Sequence, residues 1–584
     1  MRPDIDRVGF ASGWASGVGM RLSCGQGCNG KRFPTGKARF CFLRRVLSCC
    51  IRYSSKIGAE CHIQASLSDT CEYSKMGLDN ESQLCQAPPA PEVVDRNGAP
   101  VDEERCIVSF EPNDPQNPYN WKTTKKAYVI FTTVVLSLNS TMGSALASNL
   151  TPFLQAAFAI PPGPQTVLPA SVFLVGFVCG PLLFAPLSEY YGRRPVLQTA
   201  FCLFFLATLA TALAPTWPSF LFFRFLAGTF GAPPTTVVGG MIADVFEDPV
   251  YRGRMLMVWS ASTFLGPLTA PILAGFTGPV EWRWTFRAAV IIAGITLVLA
   301  SFLPETFAPK LLRQKAARLN RDAGTSKYIS PGDMKRESVL DTLKTTMSRP
   351  WVILSHEMII ILACIYMAFI YAVFYMMLAI FPRIFVGVYK FSRGIEGVAF
   401  LMFGVGTSIA CGIYLWYDRV GPRLGEKHPS KVPEYRRLPP ACAGGPLFVI
   451  ALLWMGWTSK PEIPWIVPLL SAIPYGCAFQ MIFMALFNYI TDAYGIYAAS
   501  ALAACSSTRA VVGAVLPLAV NDMLDALGIS WACTLLALIS AALGLVPLGF
   551  ITWGEKIRAR SRYSNKLQSQ SQDDGDLVRT MSLV

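Results

Sequence analysis

Pro186-Leu-Ser-Glu-Tyr-Tyr-Gly-Arg-Arg-Pro195 is a charged segment held between two apolar runs, Val167–Leu187 and Val196–Leu213. Each run is long enough to cross a bilayer as a helix. The segment between them is therefore a short loop at a membrane surface. Arg193 and Arg194 favour the cytoplasmic side, where loops accumulate positive charge. Gly192 permits a tight turn, and Pro195 suits the first position of the next helix. The Glu189 carboxylate and the guanidinium groups can pair with each other or with nearby helix ends. Taken alone, such a loop could do no more than fix orientation.

The rest of the composition agrees with a membrane protein. The chain of 584 residues is 52% hydrophobic and 15% charged, with a mean hydropathy of +0.40. A soluble domain carries about 25% charged residues. The net charge of +14 does not indicate nucleic-acid binding, because the basic residues cluster in loops between apolar runs. The cysteines include no paired Cys-x-x-Cys or Cys/His set, and Cys24 and Cys28 have only His62 nearby as a further ligand. Free cytosolic thiols are expected, with no metal and no cofactor.

Residues 1–115 are expected to form a disordered cytosolic tail. Its first part, 1–75, is basic and could be upstream sequence wrongly joined to the gene, since Met76 opens a more ordinary tail. Residues Gln86–Glu104 are rich in Pro and acids. The prolines of Phe110-Glu-Pro-Asn-Asp-Pro-Gln-Asn-Pro-Tyr-Asn-Trp121 disfavour helix. Tyr119 and Trp121 suit the lipid headgroups.

Twelve spans follow: Ala127–Ala147, Val167–Leu187, Val196–Leu213, Leu221–Val245, Met255–Phe276, Phe286–Leu303, Val352–Phe374, Val398–Leu415, Leu447–Trp457, Trp465–Phe487, Ala498–Val520 and Trp531–Trp553. The loops after spans 2, 4, 6 and 8 and the tail after span 12 carry most of the Lys and Arg. The loop after span 7 mildly breaks the alternation with Arg383, Lys390 and Arg393. Both termini are therefore expected in the cytoplasm. The layout is a six-span half at 116–304, a cytosolic linker at 305–350, a second six-span half at 351–554 and a cytosolic tail at 555–584. A partial repeat supports two related halves: Asp418-Arg-Val-Gly-Pro-Arg423 follows span 8 where the charged loop follows span 2.

These segments carry a resemblance. The loop at 186–195 resembles that between helices 2 and 3 of the major facilitator superfamily, in the form found in fungal drug:proton antiporters, although Ser188-Glu189 replaces an Asp-Arg pair. The Asn-Pro-Tyr-Asn-Trp121 segment, Pro304-Glu305-Thr306, Trp454-Met-Gly-Trp457, Asn488-Tyr-Ile-Thr-Asp492, Tyr497-Ala-Ala-Ser500 and Arg509 with Gly513 and Pro517 are similar to the same family. The resemblance covers about 115 to 554. It implies an all-α major facilitator fold of twelve transmembrane helices in two six-helix halves.

Several side chains then become candidates. Glu189, Gly192, Arg193, Arg194 and Asp244 share one membrane face with Arg252-Gly-Arg254. They are expected to form an ion-pair cluster joining spans 2, 4 and 5, with Asp418 and Arg419 as counterparts in the second half. Arg224 lies within span 4, where a charge normally faces a cavity or a partner. The family resemblance links it to proton coupling; the alternative is that it snorkels to the outer face. Gly266, Pro267, Pro271 and Gly275 resemble the antiporter motif of span 5, and they equally suit close helix packing. Tyr366, Tyr371 and Tyr375 of span 7 and Phe479, Gln480, Phe483 and Asn488 of span 10 are expected to line a substrate pocket. The alternative is that these stripes face lipid or neighbouring helices. Glu357 is a further ionisable candidate.

The resemblance implies a transporter, not an enzyme, in the plasma membrane. It would export small hydrophobic organic molecules, such as drugs, fungicides or toxins, in exchange for protons. Its partners would be that substrate, protons and the bilayer, and it would act as a monomer. Polyamine export within the same family is the alternative, although few acids lie inside spans. A non-transporting nutrient sensor would be favoured by a large cytosolic domain. A membrane enzyme would be favoured by interfacial His/Asp clusters, whereas the histidines are His62, His356 and His428.

Overall fold

The computed structural model describes residues 106–559 apart from 162, 325, 332–347, 349, 428–436 and 495–497. The expectations for 1–105 and 560–584, and for most of the linker, fall outside the described residues.

The described chain is almost wholly helical, because a backbone in hydrocarbon must satisfy its polar groups within its own segment. Ten helical stretches among the described residues are long and apolar enough to cross a membrane. Two features bring the ten to the expected twelve. Span 4 is interrupted at Ala232, giving Trp217–Gly231 and Pro233–Val245. Pro233 and Pro234 have no N–H to donate and crowd the preceding turn. The carbonyls loosened there find side chains: Ser140 donates to Gly231 O, and Ser137 to Pro234 O at 3.2 Å. Spans 11 and 12 run on as one helical trace, Ser500–Gly554, redirected at Gly528, where φ is 71°.

Several helices begin earlier than hydropathy indicates. Span 9 occupies Pro439–Thr458, and span 8 begins at Arg393 behind a Ser392 cap. Spans 1, 2, 3, 5, 6, 7 and 10 occupy Thr123–Ala145, Leu168–Tyr191, Arg193–Leu213, Pro249–Thr277, Trp282–Ser301, Met358–Pro382 and Ala472–Tyr494.

The packing repeats at an offset of six spans. In the first half span 1 packs on span 5, 2 on 4, 3 on 4 and 3 on 6. In the second, 7 packs on 11, 8 on 10, 9 on 10 and 9 on 12. The halves abut along spans 2 and 11 and along spans 5 and 8. Spans 6 and 12 present Ile291, Ile295 and Val298, and Leu535 and Leu538, outward. Outward aliphatic rows of this kind are stable facing lipid. Phe173, Phe201 and Phe204 centre the packing of the first half, and span 7 is the heart of the second.

The stretch 106–115, expected to belong to an unstructured tail, is ordered. Cys106–Ile107 pairs in parallel with Tyr328–Ile329 of the linker. Asp114 pairs with Lys315 of the linker helix Ala308–Ala323 at 2.9 Å.

Candidate functional site

The basic loop closes around Gly192, whose φ of 98° strongly disfavours a side chain. This turn presents the first amides of span 3 to a carboxylate, and the carboxylate belongs to Glu305. Its Oε1 accepts from Arg193 N at 3.0 Å and from Thr306 N and Phe307 N at 3.1 and 3.2 Å. Lys310 pairs with the same carboxylate at 3.1 Å. The Arg193 guanidinium reaches Asp244 at 3.4 Å and donates to Ser188 Oγ at 2.8 Å. Arg194 donates to Ser301 O at 3.2 Å. The expected cluster thus joins spans 2, 3 and 4 and the segment after span 6. Glu189 is exposed and forms no ion pair among the described residues, which corrects its expected role. It lies two residues before the helix end on the exposed face, while Glu305 takes the anionic place.

Arg254 turns to the other half. Its Nε and Nη2 both lie 3.1 Å from Asp418 Oδ2. Beside this pair, Met257, Tyr414 and Met484 pack together, and Tyr414 accepts from Asn488 and Arg437, both at 3.3 Å. Burial works against the Arg437 guanidinium, but Tyr414 and Asp492 raise its pKa above the ordinary value. Arg419 is exposed. The 254–418 contact therefore latches the two halves at the end that carries the basic loops. A partly exposed pair of this kind contributes about 0.2–1 kcal/mol. Asp418→Asn is expected to raise the alkylation rate of Cys411, which lies in the cavity beside Tyr414, by up to about fivefold. Residue-resolved mass spectrometry reads this directly, and an unchanged rate would remove the latch role.

Arg224 does not snorkel. It is 2% exposed, and its Nε, Nη1 and Nη2 donate to Pro169 O, Gly143 O and Ser144 O at 3.1, 2.7 and 3.1 Å. Phe173 stacks 4.5 Å from the guanidinium. Its partners are main-chain carbonyls of spans 1 and 2, so it ties three helices of one half together.

In span 5, a methyl group on Gly266 would come within 2.6 Å of Leu138 O in span 1. One on Gly275 would meet the Arg393 carbonyl group at the start of span 8, with its carbon at 2.9 Å. Pro271 O likewise faces Gly397 across the halves. Pro267 borders the central cavity. Gly275 and Gly397 thus allow backbone-to-backbone contact between the halves at the end opposite the basic loops, while Gly266 packs span 5 on span 1 within one half. At that contact lies Glu396, 0% exposed, whose Oε2 accepts from Asn149 Nδ2 at 2.7 Å. Its other oxygen has no hydrogen-bond partner among the described residues. Sequence reading placed Glu396 in a loop because span 8 was started at Val398; Ser392, a favoured capping residue, was the signal for the earlier start.

A cavity lined from spans 4, 5, 7, 10 and 11 lies between the halves. Of the residues expected to line it, Tyr371, Phe479, Gln480 and Phe483 do so. Tyr375 instead borders a second space with Ser148, Thr166 and Ser171. The Tyr371 and Tyr375 hydroxyls lie 3.2 Å apart, and Tyr375 bonds Ser144 across the halves at 2.6 Å. Tyr366 is corrected: it is fully buried against Gly445 of span 9. Asn488 is corrected too, since it turns to Tyr414 of span 8. Glu357 is buried and accepts from Tyr494 at 3.1 Å. The sequence reading missed the other wall of the cavity, namely Thr235, Trp259, Ser260, Thr263 and Phe264, together with Arg509 of span 11. Phe264 stacks on Phe479 at 4.2 Å, closing aromatic walls from both halves.

Comparison with known proteins agrees with this architecture. The Major Facilitator Superfamily family description matches residues 130–517. The chain is 35% identical over 473 residues to a protein of Aspergillus fumigatus named major facilitator superfamily multidrug transporter mdrA, covering 80% of this chain and 77% of that one. It is 34% identical to the multidrug transporter FLU1 of Candida albicans, over 79% of this chain and 77% of that protein. It is also 34% identical to the efflux pump FUBT of Fusarium oxysporum, over 78% and 77%. Among solved structures, a D-xylose-proton symporter superposes with a TM-score of 0.55 at 16% identity, covering 73% of this chain and 97% of that one, which speaks to the fold alone. With twelve helices in two repeated halves, a cavity between them and this breadth of match, the chain belongs to the major facilitator superfamily and is a multi-pass membrane transporter.

Proposed function

We propose that this transporter exports small hydrophobic organic molecules across a plasma membrane in exchange for protons. The observation that carries the reading is the aromatic cavity between the halves, with contacts between the halves at both ends. Arg254–Asp418 joins them at one end, and Asn149–Glu396 and Gly275 against Arg393 at the other. This is the arrangement of an occluded intermediate, from which either end can open in turn. The charge of the basic loops supports reading the Arg254–Asp418 end, and with it both termini, as cytoplasmic. Relatives named as multidrug transporters and efflux pumps support the outward direction. The protein is read as a monomer.

Proton coupling needs an ionisable group whose burial changes during the cycle. Glu396 supplies one at the outer contact, with Arg393 as the charged neighbour and the Asn149 amide opposite. Opening the outer end would expose Glu396 to external protons, and closing it buries the carboxyl again against Asn149. Arg224, bound to carbonyls, holds the fold around this cycle. Glu396→Gln mimics the protonated acid. It is expected to retain substrate exchange while net export driven by a pH gradient falls by roughly tenfold or more. Retained gradient-driven export in vesicles would remove Glu396 from coupling.

The reading as a whole is tested by accumulation of a panel of apolar toxins and azole-type drugs in cells lacking their own pumps. Lower accumulation with the protein present, abolished by a protonophore, is the expected result. Unchanged accumulation with the protein at the plasma membrane would overturn it. Polyamine export is disfavoured, since no carboxylate lines the central cavity among the described residues.

A further inference from the structure

Arg509 is the one charged residue lining the central cavity among the described residues. It projects from span 11 and is only half-buried, so it faces the open space instead of the packed interior. Aromatic rings surround it: Tyr371, Phe483 and Phe487 lie 4.8, 5.6 and 5.9 Å from the guanidinium carbon. Its one side-chain hydrogen-bond partner among the described residues is Ser506 Oγ, to which Nη2 donates at 3.3 Å. No carboxylate pairs with it among the described residues.

This differs from Arg193, Arg224, Arg254 and Arg437. Arg224 spends its donors on three carbonyls, and Arg193, Arg254 and Arg437 each have an acid. A guanidinium has five N–H donors in a planar fork that matches a carboxylate or sulfonate. A cation within a membrane span requires compensation, and here the protein supplies only a hydroxyl and ring faces. The remaining donors are left for a ligand in the cavity that Arg509 lines.

We propose that the cavity selects amphipathic organic anions: an arene or alkyl body against the aromatic rings that line it, with a carboxylate or sulfonate on Arg509. This rests on the exporter reading and narrows its substrate class. The body of such a ligand replaces water against Phe264, Phe374 and Phe479. Its charge is held where hydrogen bonds to ions are strengthened by the low local dielectric.

The test is a matched set of probes on one skeleton: 2-naphthoate, 2-naphthamide and 2-naphthylmethylamine. Binding to the full chain in nanodiscs is followed at neutral pH by quenching of tryptophan emission, with empty nanodiscs subtracted. Naphthoate is expected to bind roughly tenfold or more tightly than the amide, and the ammonium probe least. In Arg509→Gln this preference is expected to fall below about twofold, with Arg509→Lys between. Thermal melting checks that each variant is folded, and the wild-type probe series decides the charge preference without any variant. Equal binding of acid and amide, or preference for the amine, would overturn the inference and leave the exporter reading standing. A preference that survives in Arg509→Gln would overturn the assignment to this residue. Failure of all three probes to bind a folded wild type would overturn both.

Discussion

Gly275→Leu is expected to stop export almost completely while leaving the protein folded and in the membrane. The first side-chain carbon at 275 would already overlap the Arg393 carbonyl, and leucine adds three more. Backbone on both sides of this contact is locked in helices, so spans 5 and 8 must separate. Overpacking of this kind costs about 1–3 kcal/mol. The cost falls only on conformations in which the outer end is closed. The closed population then drops by roughly five- to 150-fold, and every transport cycle passes through it. Gly397→Leu, which would strike Pro271 from the opposite side, is expected to act alike. Initial efflux rates normalised to surface abundance check this. Wild-type rates in Gly275→Leu would mean that the contact is not a gate.

The second large effect is at Arg224, and it acts on stability. Arg224→Gln leaves at least one of three buried carbonyls without a donor and removes a cation from the face of Phe173. Each buried acceptor left unsatisfied costs about 1–3 kcal/mol. Arg224→Lys keeps the charge but has a single nitrogen that cannot reach carbonyls on two helices at once. Both variants are expected to lower the melting temperature and the yield of monodisperse protein, the glutamine variant more. A proton-coupling role predicts another pattern, a stable protein in which transport proceeds without the gradient. If Arg224→Lys melts like the wild type and transports without coupling, the clamp explanation fails.

Much of this architecture was legible along the chain. Long apolar segments have few options in a bilayer, and loop charge orders them. Arg193, Asp244 and Asp418 were recognised as interacting charges because acids and bases near helix ends are exposed to one another. What escaped was the choice of partner. Glu189 stood closest in sequence to Arg193, yet Glu305, over a hundred residues on, holds the amides of span 3. Arg254 was assigned to its own half and bonds across to the other.

The cavity illustrates the limit most clearly. Phe479, Phe483 and Phe487 recur at four-residue spacing and share one helix face, and Gln480 borders it. Asn488 is one residue further, about 100° around the helix, and meets span 8 instead. Tyr366 and Tyr371 diverge for the same reason. Periodicity shows which residues share a face. It does not show which face turns inward when every face is apolar, as in spans 7 and 10. Hydropathy and loop charge were therefore enough for the class, the span order and the membrane topology expected of the chain. The lining of the cavity, the solitary Arg509 and the buried Glu396 depended on helix rotation and on contacts between distant segments. Those are decided only when the helices pack together and the rotation of each about its own axis is set by its neighbours.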